Sequence, residues 1–143
     1  MIGLIVTGHG HFATGLTSSL KLICGEDIKD YVAVDFESTD SEDDLAEKIN
    51  QAFDDLKECE GILVLSDIVG GSPFKTSTMI GLPKGNVEIV SGTNLPMLID
   101  VHLTRTFETN VHDFVNHAIE VGSLSVSKFE FKKVEETTDE EGI

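Results

Sequence analysis

The chain has 143 residues, 40% hydrophobic and 25% charged, and a formal net charge of −16 at pH 7. A chain of this length forms one domain that buries roughly 70% of the surface its unfolded form exposes, so it needs no disulfide or metal staple. Its acidity excludes nucleic acid and anionic membrane surfaces, which would repel it, and favours soluble partners with basic patches.

The opening run Ile2-Gly3-Leu4-Ile5-Val6 is continuously apolar and ends in Thr7-Gly8-His9-Gly10-His11. Such a run, bounded by turn residues, predicts a strand buried on both faces that delivers His9 to its carboxyl end. Glycines on both sides leave the imidazole uncrowded and permit positive φ in the turn. Apolar residues at Phe12, Leu16, Leu20 and Ile23 predict a helix over 12–23 packed on the sheet. Tyr31-Val32-Ala33-Val34-Asp35-Phe36 reads as a second strand, and Thr39 with Glu42 as a capping box opening a helix over 41–57.

Gly61-Ile62-Leu63-Val64-Leu65-Ser66-Asp67 repeats the opening design: a buried strand, a polar end, then a glycine-rich turn, Gly70-Gly71-Ser72-Pro73-Phe74. Ser72 is the expected N-cap and Pro73 the first residue of a helix running to about Ile80. Val87-Glu88-Ile89-Val90-Ser91 is a fourth strand, and Gly92-Thr93-Asn94-Leu95-Pro96 turns into another helix. Asn110 caps a last helix over 111–121 that Gly122 ends. Residues 127–134 alternate Phe129 and Phe131 with charged residues, as a half-buried edge strand does, and the acidic stretch 135–143 is expected to be disordered. Alternating strands and helices give an α/β domain with an open, doubly wound, mainly parallel sheet. Cys24 and Cys59 form no CxxC pair and read as buried thiols of a reducing cytosol. The first residues carry neither a basic leader nor a spanning run, which points to a cytoplasmic protein.

Open parallel sheets bind ligands beyond the carboxyl ends of their strands, where the strand order reverses. With the order 2-1-3-4, His9 and Asp67 end neighbouring strands. The carboxylate then accepts the Nδ1–H bond, fixes the tautomer and leaves Nε2 outward as a nucleophile. The turns at Gly10, at Gly70, Gly71 and Ser72, and at Gly92 to Asn94 all lead into helix N-termini, whose free amides favour an anion. A phosphorus centre is therefore the expected electrophile, with no metal or cofactor required. No GxxxxGK[ST] loop is present, so a triphosphate site of that kind is not indicated. A histidine phosphatase also places a His-Gly pair after its first strand, but it clamps its substrate with several guanidinium groups. Here Arg105 is the only arginine and Gly8 stands at the motif-arginine position.

Three blocks together carry a family resemblance: Ile5-Val6-Thr7-Gly8-His9-Gly10, Asp67-Ile68-Val69-Gly70-Gly71-Ser72-Pro73-Phe74, and Gly92-Thr93-Asn94-Leu95-Pro96-Met97-Leu98. Over residues 1–134 the chain resembles the IIA component of the mannose class (mannose, fructose, sorbose) of the bacterial phosphoenolpyruvate-dependent sugar phosphotransferase system. The resemblance implies a phosphoryl carrier in which His9 takes the group from the histidine-containing phosphocarrier protein and passes it to a IIB component. It makes Asp67 the carboxylate that orients His9, and Ser72 part of the turn beside the phosphate. It also implies a homodimer that exchanges an antiparallel carboxy-terminal strand, here 129–134, and indirect association with the membrane IIC and IID components, where sugar choice mainly resides. His11 stands where a bulky residue is expected and reads as a rim residue. Phe12, Ile68, Val69, Asn94 and Leu95 are candidate rim or partner contacts. Two other readings remain at this stage: the phosphotransfer subunit of dihydroxyacetone kinase, and a flavodoxin-like binding module.

Overall fold

In a computed structural model, which describes residues 1–132, strands and helices alternate along the chain. They are β1 (Ile2–His9), α1 (Phe12–Cys24), β2 (Tyr31–Phe36), α2 (Glu42–Asp55), β3 (Gly61–Ser66), α3 (Ser72–Gly81), β4 (Val87–Val90), α4 (Leu95–Thr104) and α5 (Val111–Leu124), with short 3-10 turns after α3 and α4. Among the described residues the sheet has four parallel strands in the order β2-β1-β3-β4, as the sequence predicts.

β1 is central because both of its faces are apolar. Ile2, Leu4 and Val6 pack with Leu20 of α1, Leu98 and Val101 of α4 and Phe114 of α5, whereas Ile5 packs on the opposite face with Leu45, Ile49 and Phe53 of α2. Successive side chains of a strand point to opposite faces, so one uninterrupted run feeds two cores. β1 and β3 pair in register from Ile2 with Gly61 to Thr7 with Ser66. That register brings the ends of the two strands to one edge.

The same edge gathers the other turns. Gly10 N–H donates to Phe36 O at 2.7 Å, Gly92 N–H to Asp67 O at 2.9 Å and Thr93 N–H to Ser66 O at 3.1 Å. At the opposite end of β1, buried Arg105 donates through Nη1 to Ile2 O at 3.0 Å and Asp30 O at 2.7 Å, and through Nη2 to Lys29 O. The lone guanidinium is therefore a bracket for the amino edge of the sheet. Seven residues of strand, about 23 Å, separate that edge from His9.

Local expectations are corrected in five places, the first being Cys24 and Cys59, which are half-buried and not buried thiols. α2 begins with a capping box made by Ser41 and Asp44, not Thr39 and Glu42: Asp44 N–H donates to Ser41 Oγ at 3.0 Å and Ser41 N–H to Asp44 Oδ2 at 2.9 Å. α3 is preceded by Gly71 in extended conformation, so Gly71 and not Ser72 is the N-cap and Ser72 is the first helical residue. Gly122 does not end α5; it lies within the helix, where the missing Cβ admits the Met97 side chain. Residues 127–132 form no strand in the single chain, and Phe129 and Phe131 are exposed, because a strand requires a neighbouring edge to pair with. The rest of that expected strand and the acidic stretch 135–143 lie outside the described residues.

Candidate functional site

His9 closes β1 and Asp67 follows β3, so the pairing of these two strands sets the two side chains together. His9 Nδ1–H donates to Asp67 Oδ2 at 2.7 Å, and the His9 backbone N–H donates to the same oxygen at 2.8 Å. Ile68 N–H donates to Oδ1 at 2.8 Å. Burial would raise the Asp67 carboxyl, but the backbone N–H of His9, the His9 ring and the Ile68 N–H together hold it below the usual carboxylate range. Both carboxylate oxygens are thus engaged, and the imidazole has one orientation with Nε2 directed away from Asp67. The His9 side chain remains 46% exposed.

Three neighbours frame the ring. Phe36 at the end of β2 meets it edge-on, with centroids 6.0 Å apart. Gly8 is closed in by Phe12 and Asp67: a Cβ there would stand 2.9 Å from Asp67 Cγ. Gly71 presses on the other edge, where a Cβ would stand 2.6 Å from Cε1 and 3.2 Å from Nε2. Gly71 therefore relieves crowding at the His9 ring, and Gly8 leaves room for Phe12 and Asp67. Gly10 has open space around it and serves the turn through its φ of +61°.

Of the three glycine-rich helix starts expected to favour an anion, one has no side-chain acceptor on its backbone amides. At α1, Asp35 accepts from Thr14 N–H at 3.0 Å and from Thr14 Oγ1 at 2.6 Å. At α4, Asn94 Oδ1 accepts from Met97 N–H at 3.0 Å, while its Nδ2 donates to Gly122 O. Of the three, only the start of α3 has no side chain accepting from its backbone amides, and it is the one in contact with the Nε2 edge of His9. Backbone amides and the positive end of the helix dipole thus lie beside the outward nitrogen. Ser72 Oγ donates to Glu42 Oε1 at 2.8 Å.

The remaining candidates separate by exposure. Ile68 and Val69 are 57% and 71% exposed and border the site on its open side. Phe12 and Leu95 are half-buried, with Phe12 packed on the core. His11 turns away from the ring to bond Glu37 through Nε2 at 2.9 Å; that bond and the charges of Glu37 and Asp35 raise its pKa above 6.5. Among the described residues no three His, Cys, Asp or Glu side chains gather as a metal shell. Sequence reasoning missed Phe36, Asp35 and Glu42. Asp35 carries a readable signal, a polar residue at the end of a strand; Glu42 carries none, because only the packing of α2 against α3 brings it to Ser72.

The family described as PTS system fructose IIA component, EIIA-man, matches residues 3–119. The chain is 30% identical over 134 residues to the mannose-specific EIIAB component of the Escherichia coli phosphotransferase system, covering 94% of this chain but 41% of that protein. It therefore spans less than half the length of that relative. It is 35% identical over 101 residues to the fructose-specific EIIA component of Bacillus subtilis, covering 71% of this chain and 68% of that one. A solved structure of phosphotransferase system component EIIA from Streptococcus agalactiae superposes with a TM-score of 0.81 at 31% identity, over 90% of this chain and 97% of that one.

Proposed function

Because the chain belongs to the EIIA-man family of phosphotransferase-system IIA components, we propose that it is a phosphoryl carrier: His9 accepts a phosphoryl group from the histidine-containing phosphocarrier protein and yields it to a IIB component. The observation that carries this reading is the 2.7 Å bond from His9 Nδ1 to Asp67, with Gly71 and the uncapped start of α3 against the Nε2 edge.

In the proposed step, Nε2 attacks the phosphorus of the donor's phosphohistidine in line. The new P–N bond forms as the old one breaks, and the donor ring, whose other nitrogen carries a proton, leaves as neutral imidazole with the bonding electron pair. The His9 ring becomes cationic, retains its Nδ1 proton, and is balanced by the Asp67 carboxylate beside it. Charge on the three equatorial oxygens is met by amides and dipole at the α3 start. Donor and acceptor are both imidazole nitrogens, so the step is close to isoenergetic and runs in either direction.

Ile68 and Val69 serve as the apolar contact of the docked partner. The described residues hold no helix long and apolar enough to cross a membrane, which suits a cytoplasmic component that reaches the IIC and IID proteins through IIB. In this reading two chains form a homodimer in which the segment 129–134, whose Phe129 and Phe131 are exposed in the single chain, pairs antiparallel in the other subunit. Light scattering on the full chain tests the dimer.

Incubation with phosphoenolpyruvate, enzyme I and the phosphocarrier protein tests the relay. The expected product carries one acid-labile, base-stable phosphoryl group on His9 Nε2, absent in His9→Ala. Persistence of the group in that variant would overturn the reading.

A further inference from the structure

We propose that Glu42 is a positioning residue for phosphoryl transfer: it holds the Ser72 hydroxyl proton in the unphosphorylated protein and competes for it with the phosphoryl group on His9. The proposal rests on the carrier reading above and concerns how tightly the carrier keeps its cargo.

Glu42 is the first residue of α2 and Ser72 the first residue of α3, and the two helix starts lie side by side with Ser72 Oγ donating to Glu42 Oε1 at 2.8 Å. Ser72 directly follows Gly71, the residue pressed on the Cε1 and Nε2 edge of His9. Glu42 is not occupied in starting its own helix, since Ser41 and Asp44 make the capping box between them. A serine hydroxyl has a single proton to donate, whereas an ionised carboxylate and a phosphoryl oxygen both only accept. Ser72 can therefore satisfy Glu42 or the incoming phosphoryl oxygen with that proton, but not both.

The bond to Glu42 is charge-assisted and must be surrendered for Ser72 to turn its proton to the phosphoryl group. Phospho-His9 is correspondingly less stable than it would be with Ser72 free. Glu42 thus acts through Ser72 to bias the carrier toward passing its group onward. A neutral amide oxygen at the same place holds the hydroxyl less firmly, and a methyl group does not hold it at all.

The test is the equilibrium partition of the phosphoryl group between the phosphocarrier protein and the full chain, read by phosphorus NMR. Glu42→Ala is expected to shift it toward the chain by about tenfold, the worth of one charge-assisted hydrogen bond, and Glu42→Gln by less. In a Ser72→Ala background the Glu42→Ala change is expected to do nothing. An unchanged partition in both Glu42 variants overturns the proposal. An equal shift in the Ser72→Ala background also overturns it, because the carboxylate would then act directly through space. A wild-type chain that takes no phosphoryl group at all is a separate outcome, which removes the carrier reading and the proposal with it. The Ser41 and Asp44 box is intact in every variant, so thermal melting should confirm that α2 persists.

Discussion

Gly71 lies against the imidazole of His9 so closely that a β-carbon added to it would stand 2.6 Å from Cε1. The backbone at Gly71 is ordinary extended chain, φ −75° and ψ 166°, so the residue is glycine for space and not for conformational freedom. Gly71→Ala must displace the ring or the start of α3 while leaving the sheet untouched. A misplacement of about 1 Å costs on the order of a hundredfold in rate. Phosphorylation of Gly71→Ala should therefore fall by about that factor while its circular dichroism spectrum is unchanged; a wild-type rate would show that the ring does not react from this position.

Asp67 accepts three hydrogen bonds, two from backbone N–H groups, and a replacement that keeps its shape isolates what its charge does. In Asp67→Asn the amide oxygen retains one set of contacts, but the ring loses the ion that fixes its Nδ1 proton and balances its positive charge. Transfer should drop by about two to four orders of magnitude. Nitrogen NMR of the ring should show a mixture of tautomers in place of the single Nδ1–H form. Retention of that form in Asp67→Asn would assign the tautomer to some other contact.

His9 and Asp67 are legible in the sequence because each ends a continuous apolar run, and runs buried on both faces belong to the centre of a parallel sheet. Their pairing follows once the order 2-1-3-4 is assumed. Side-chain partners across elements are not legible in the same way. Spacing does not reveal that Asp35 reaches from β2 to cap α1, or that Glu42 meets Ser72, because both contacts arise only when separate elements pack. Ser72 followed by proline reads as an N-cap by local preference, yet the close approach of His9 makes the preceding glycine the turning point. Gly122 reads as a helix stop, whereas its role is to admit Met97. In each case a contact with a distant element overrides a local propensity.

His112 joins α5 to the β4 side of the sheet, with Nδ1 2.8 Å from Glu88 Oε2 and Nε2 2.9 Å from Gly85 O. Both partners only accept, so the ring is best satisfied when both nitrogens carry protons. The Glu88 hydrogen bond first, and the Gly85 carbonyl after it, raise the pKa above 6.5. A pKa raised in the folded state adds stability that is complete below the unfolded value near 6.5 and is lost as pH climbs through the folded value. Urea midpoints should accordingly decline over that interval, and less so in His112→Gln; His11, raised by Glu37, supplies a residual slope in that variant. Identical pH profiles for the two proteins would mean that the ring does not titrate in this window.

Arg105 provides the sharpest separation between fold and chemistry, because the only arginine of the chain stands at the wrong end of β1 to touch a phosphoryl group. The residue is 2% exposed, and its two terminal nitrogens donate to the carbonyls of Ile2, Asp30 and Lys29. The planar fork reaches all three, and a lysine ammonium on a flexible stem does not reproduce that geometry. Arg105→Lys leaves buried carbonyls without donors at a cost of about 2–4 kcal/mol, which should appear in the denaturant midpoint. The folded fraction of the variant should still phosphorylate at the wild-type rate, since His9 lies about 23 Å along the strand. A large loss of transfer in protein shown to be folded would instead place the guanidinium in the reaction and revive a phosphatase-like use of this residue.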